Sequence, residues 1–139
     1  MIRSITFLSA LVAIFLASSL RADVTEVDNA TLEKLQNEGA VIVDVRRQDE
    51  WEKTGMVEGS HPLTFFDAKG RYDAKAWLGE LDGLVRPDQA VVLICAHGVR
   101  SAKIAGLLDK RLGYTQVHNV TKGISAWLSE KRPVVAYKP

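Results

Sequence analysis

Cysteine is almost absent from this chain of 139 residues, and Cys95 is the single one. A lone thiol cannot close an intramolecular disulfide, so no disulfide framework supports the fold. Cys95 is therefore either an inert core residue or a reactive thiol. An excess of charge of one sign is also missing. With 18 Lys and Arg against 17 Asp and Glu the formal net charge is +1, which offers no electrostatic footprint for nucleic acid or an anionic membrane surface. Repeats and low-complexity tracts are lacking too. Metal-ligand spacing is likewise absent, since His61 and His118 have no cysteine or acidic partner at such spacing and read as structural or surface residues. No metal and no cofactor is expected. What remains, 47% hydrophobic and 25% charged, is the composition of one ordinary globular domain.

The first residues stand apart from that domain. Arg3 gives a short positive start, and 5–17 is apolar except for Thr6 and Ser9, with small residues at Ala17, Ser18, Ser19 and Ala22. This is the layout of a secretory signal peptide over 1–22, cleaved near Ser19 or Ala22. The run is short for a membrane-spanning helix, which needs about 20 residues, so no stable anchor is expected. Export, to the periplasm in a cell with two membranes, is the expected localisation. Loss of 1–22 removes Arg3 and Arg21 and no acid, leaving 16 basic against 17 acidic residues, a net −1.

Over 23–139 the periodicity alternates strands with helices. Residues 24–27 form a short edge strand, and Asp28 or Asn29 caps a helix carrying Leu32 and Leu35 that Gly39 ends. The β-branched run 40–45 reads as a strand buried on both faces. Residues 48–53 form a short polar helix with Trp51, and Gly55, Gly59 and Pro62 mark loops and turns. Residues 72–84 form a helix burying Trp77, Leu81 and Leu84, and 90–94 a second buried strand that runs into Cys95. An amphipathic helix over 101–112 ends at Gly113; a strand over 116–120 and a helix over 124–129 with Trp127 complete the pattern. The three tryptophans fall on apolar helix faces, where they read as core. Such alternation implies an α/β fold: an open, mainly parallel sheet with helices on both faces. In such sheets ligands bind beyond the carboxyl ends of the strands, at helix N-termini. Cys95 lies at such an end.

A thiol is nucleophilic only as thiolate, and a free pKa of about 8.5 leaves most of it protonated near neutrality. The segment Cys95-Ala96-His97-Gly98-Val99-Arg100-Ser101 favours the anion in several ways. The strand-to-helix turn directs unpaired backbone amides and the positive helix end toward the sulfur. Gly98 lets the loop curl so that successive amides form an anion nest. Arg100 adds a forked cationic donor suited to oxyanions, and Ser101 serves as N-cap and as a hydroxyl donor to the sulfur. His97 either adds positive charge and contacts a donor or simply faces solvent.

This loop resembles that of the rhodanese family, whose pattern Cys-x-x-Gly-x-Arg-Ser is matched by Cys95, Gly98, Arg100 and Ser101. The resemblance covers nearly all of 23–139. Val43-Asp44-Val45-Arg46 matches the family's Asp-Val-Arg strand end, and Glu50-Trp51 its acid–aromatic pair. Residues 55–60 resemble its Gly-His-Ile-x-Gly-Ala loop with Met56 for histidine, and 122–127 its Gly-Gly-x-x-Ala-Trp with Lys122 for the first glycine. The resemblance implies the open sheet and a sulfurtransferase activity. Cys95 would attack the outer sulfur of thiosulfate or a similar small anionic donor, then pass its persulfide to cyanide or a thiol acceptor. The amides of Ala96, His97, Gly98, Val99 and Arg100 would hold the persulfide, Arg100 would bind the donor, and Asp44 with Arg46 would orient Arg100 or the loop.

Two rivals stand beside that reading. Phosphatases and arsenate reductases of related fold use a similar loop with five residues between Cys and Arg, whereas four separate Cys95 from Arg100 here. The shorter loop makes a cradle better sized for one sulfur than for a tetrahedral oxyanion. A non-enzymatic persulfide carrier or binding module would need the same loop. The pattern sets no oligomeric state.

Overall fold

The computed structural model describes residues 23–139, with the backbone alone at 110 and 111; the expected signal peptide and its cleavage point lie outside the described residues. Ten elements alternate: β1 (Thr25–Val27), α1 (Asn29–Asn37), β2 (Val41–Asp44), α2 (Gln48–Thr54), β3 (His61–Pro62), α3 (Ala74–Asp82), β4 (Ala90–Ile94), α4 (Val99–Leu112), β5 (Gln116–Val120) and α5 (Gly123–Ser129). The strands form one sheet in the order β1-β5-β4-β2-β3. Every pairing is parallel, with Val43 opposite Leu93 and Val92 opposite His118 across the centre.

β4 is the middle strand because four of its five side chains, Val91 to Ile94, are buried. They alternate between the two faces, as strand geometry requires. Val91 and Leu93 meet Trp77 and Leu81 of α3 and Ile104 and Leu108 of α4, whereas Val92 and Ile94 meet Leu32 of α1 and Ile124 and Trp127 of α5. Each such buried aliphatic side chain contributes about 1.5–3 kcal/mol, so two packed layers fix the sheet and bring its carboxyl ends to one edge of the domain.

The helix ends agree with local chemistry. Asp28 caps α1 by accepting from the Thr31 amide at 2.8 Å, and Asp73 caps α3 through the Ala76 amide at 3.0 Å. Three details depart from the sequence reading. Pro62, read as a turn, ends the two-residue edge strand β3, a position where a missing N–H is tolerated. α4 begins at Val99, with Gly98 rather than Ser101 at the cap. The tail beyond α5 is ordered against the fold: Met56 and Val135 exchange backbone hydrogen bonds at 2.9 Å, and Tyr137 packs on Trp51 with ring centroids 5.2 Å apart.

Candidate active site

Cys95 leaves the carboxyl end of β4 and is 1% exposed. Its sulfur is the focus of several donors. The Gly98 amide reaches Sγ at 3.2 Å, the Ser101 hydroxyl at 3.2 Å and the Ser101 amide at 3.4 Å. Burial pushes the thiol up, but the Ser101 hydroxyl and the amides of Ser101, His97 and Gly98 outweigh it, so the group is held below its ordinary value. Ser101 acts from inside the first turn of α4, because the left-handed Gly98 (φ 86°) starts the helix two residues before it. From there its side chain points back at the sulfur rather than capping the helix, which corrects the N-cap expectation.

The loop is clamped by the turn that follows β5. A Cβ on Gly98 would collide with the Thr121 carbonyl, and one on Gly123 (φ 60°) would collide with the carbonyls of Cys95 and Ala96. These two positions admit only glycine because backbone approaches backbone there. The approach is used: Ile124 N–H donates to the Cys95 carbonyl at 2.9 Å and Ser125 N–H to that of Ala96 at 3.1 Å. Buried Asn119 adds an anchor, donating to the Gly98 carbonyl at 3.2 Å and to Glu26 at 2.9 Å. His97 is exposed, and its Nδ1 lies 2.9 Å from the Ser125 hydroxyl. Val99 projects into solvent at 64% exposure, and the amides that act on the sulfur are those of His97, Gly98 and Ser101, with no hydrogen bond to it from Ala96, Val99 or Arg100.

Arg100 is partly buried and grips a carboxylate that the sequence reading treated only as half of an acid–aromatic pair. Its Nη1 and Nη2 donate to Glu50 Oε2 and Oε1 at 2.8 and 2.6 Å. Glu50 Oε2 also accepts from the Arg47 amide at 3.0 Å, so one carboxylate caps α2 and holds Arg100. The Arg100 hydrogen bonds, opposed by burial and aided by the Arg47 amide and both cationic side chains, hold the Glu50 carboxyl at about 2. The same contact keeps the Arg100 guanidinium above its ordinary value, assisted by the charges of Cys95 and Asp44. A fork-to-fork pair of this kind fixes the plane of the guanidinium.

Asp44 and Arg46 do not hydrogen-bond to Arg100. They form their own pair at full burial, with Arg46 Nε 2.9 Å from Asp44 Oδ1 and Nη2 2.8 Å from Oδ2. Arg46 also donates to the Thr54 hydroxyl at 2.9 Å and to the Gly55 carbonyl at 3.0 Å. The pair thus ties the end of β2 to the end of α2, the helix that carries Glu50. Its influence on Arg100 runs through that helix and through the nearby Asp44 charge. His61 is exposed on the edge strand and His118 is half-buried on β5, away from the sulfur's donors.

A sheet of parallel strands with a cysteine cradled by amides at the end of its middle strand defines a class of α/β domain. The rhodanese-like domain model matches residues 28–130, and the chain belongs to that family. It is 30% identical over 140 residues to the uncharacterized protein YibN of Escherichia coli strain K12, covering 99% of this chain and 92% of that protein. Thiosulfate sulfurtransferase 18 of Arabidopsis thaliana is 30% identical over 124 residues, covering 86% of this chain and 90% of that protein. Among solved structures, a rhodanese-related protein from Thermoplasma volcanium superposes with a TM-score of 0.61 at 27% identity, over 81% of this chain and 99% of that one.

Proposed function

We propose that the protein is a sulfurtransferase that carries sulfane sulfur on Cys95, taking it from thiosulfate or a similar small anionic donor. One observation carries the reading: three donor groups converge on the Cys95 sulfur within 3.4 Å, lowering the thiol pKa despite burial. A stabilised thiolate with no second cysteine is suited to covalent sulfur transfer, since the intermediate stays on one atom until an outside acceptor removes it. The Arabidopsis relative's name, thiosulfate sulfurtransferase, agrees with this chemistry.

In the first half-reaction the Cys95 thiolate attacks the outer sulfur of thiosulfate. The Cys95 S–S bond forms, the S–S bond of thiosulfate breaks, and sulfite leaves with the bonding electron pair. The persulfide anion inherits the amides of His97, Gly98 and Ser101. Arg100, held in its plane by Glu50, has outward donors left for the sulfonate end of the donor. In the second half-reaction cyanide or a thiolate attacks the outer sulfur, and Cys95 thiolate is the leaving group.

The four-residue span from Cys95 to Arg100 disfavours phosphate chemistry, and sulfite departs without the general acid that an alkoxide needs. The carrier reading shares the loop and differs only in turnover. We also propose export, on the pattern of residues 1–22. Sequencing the N-terminus of protein from the exported fraction tests it: a start near residue 20 to 23 is expected, and an intact Met1 contradicts it. For the reaction, thiosulfate with cyanide should release sulfite and thiocyanate from the parent chain and neither from Cys95→Ser. Turnover surviving that substitution would remove Cys95 from the mechanism.

A further inference from the structure

Beside the Cys95 loop, on the α5 side, runs an open groove of about 510 Å³ lined by His97, Lys122, Ser125, Ala126, Ser129 and Glu130. His97 belongs both to the groove and to the amide cradle of the sulfur, so the groove begins at the rim of the loop. Its charges are unequal. Glu130 is already engaged, its Oε2 accepting from Arg132 at 2.5 Å and from Asn29 at 3.0 Å. Lys122 is exposed and, among the described residues, has no carboxylate within 4.0 Å. It also stands where the family pattern has glycine, so this charge is a property of this chain rather than of the loop chemistry.

We infer that this groove docks the sulfur acceptor and that it takes a small thiol carrying a carboxylate, with Lys122 pairing the carboxylate. The inference rests on the proposed Cys95 persulfide and adds the class of acceptor. The second half-reaction brings an anion to an anion. The acceptor thiolate attacks the outer persulfide sulfur, forms a new S–S bond and expels Cys95 thiolate, so total charge is unchanged and no further reactant is needed. A carboxylate on the acceptor adds a further negative charge to that approach, and a cation that pairs the carboxylate offsets the added repulsion, which a neutral thiol does not carry. Arg100 does not line this groove, being held toward α2 by Glu50, and Lys122 is the one lysine or arginine among the groove's lining residues. The polar wall of Ser125, Ser129 and the His97 ring supplies hydrogen-bond partners for a short polar chain.

The test separates the two half-reactions in the full chain. Cys95 is loaded with thiosulfate and then discharged by 3-mercaptopropionate, by neutral 2-mercaptoethanol or by cationic 2-aminoethanethiol, each followed in a rapid-mixing instrument. In Lys122→Gln, discharge by 3-mercaptopropionate should fall about fivefold, the size of one exposed ion pair, with loading and 2-mercaptoethanol discharge within twofold of the parent. Lys122→Glu should invert the preference, favouring 2-aminoethanethiol. Unchanged 3-mercaptopropionate discharge in Lys122→Gln, or an equal loss with 2-mercaptoethanol, overturns the inference. If the parent chain does not load from thiosulfate, the donor reading fails by itself. The groove is then tested in the same way with Cys95 loaded from inorganic polysulfide.

Discussion

Glu50→Gln removes one charge and leaves the shape of the side chain, which isolates the role of the Arg100 clasp. The Glu50 carboxyl stands at about 2 in the folded chain against an ordinary 4.5. At 1.36 kcal/mol per pH unit, that displacement sets a ceiling of about 3 kcal/mol on what the ionised form contributes. The Arg100 and Glu50 side chains are 26% and 21% exposed, and water screens them, so about 1–2 kcal/mol is expected in stability. For a domain of this size that is about 4 to 10 °C in Tm. Because the folded value lies below the unfolded one, the contribution is complete above pH 4.5 and is lost as pH falls through 4.5 toward 2. Thermal denaturation at pH 7 and pH 3 measures it: Glu50→Gln should be less stable than the parent at pH 7, and the gap should narrow at pH 3. Glutamine can still accept from the Arg47 amide, so the helix cap survives. Release of Arg100 should also lower kcat/KM for thiosulfate about tenfold, with Glu50→Asp recovering part of the loss. A Glu50→Gln protein matching the parent in Tm at both pH values and in kcat/KM would refute the reasoning.

Further perturbations separate the loop from its supports. Ser101→Ala removes the hydroxyl donor 3.2 Å from Sγ, so the thiol pKa should rise and alkylation by iodoacetamide at pH 7 should slow; an unchanged pH profile of alkylation contradicts the cradle. Gly98→Ala drives a Cβ into the Thr121 carbonyl at a left-handed position and should destabilise by more than about 3 kcal/mol in urea unfolding, where an effect below about 1 kcal/mol would show that the turn can shift. Arg46→Leu leaves Asp44 charged and unpaired at full burial and should cost about 3–5 kcal/mol by the same measurement. Arg100→Ala deletes the same ion pair and should lower Tm about as much as Glu50→Gln, while reducing thiosulfate loading much further than Glu50→Gln does. Equal loading rates in variant and parent would remove Arg100 from donor binding.

The strands and helices were legible where one local signal dominated. The unbroken β-branched segments around Ile42 and Val92 read as strands buried on both faces, and the left-handed glycine at Gly113 stopped α4 where its pattern ended. The loop was legible as well, since Cys95, Gly98, Arg100 and Ser101 lie within seven residues. Partners distant in sequence were harder. The Arg100–Glu50 pair joins residues 50 apart through the sheet order, which local periodicity does not contain. The available sign was Glu50 three residues after Arg47 at a helix start, a capping position whose second partner no local rule names. Asp44 and Arg46 were rightly placed at the neighbouring strand end, but sequence alone did not show that Arg46 also donates to Thr54 and Gly55. β3 escaped because two residues carry no period and Pro62 reads more readily as a turn. The ordered tail escaped for a similar reason: Val135 pairs through backbone with Met56, a contact with no side-chain pattern.

The central claim is that Cys95 accepts a sulfur atom. Intact-protein mass spectrometry after brief exposure of the full chain to thiosulfate tests it most directly. A gain of one sulfur atom's mass, mapped to Cys95, absent in Cys95→Ser and matched by an equal amount of sulfite, is the expected result. An unmodified thiol that instead becomes transiently phosphorylated by an aryl phosphate would contradict the account.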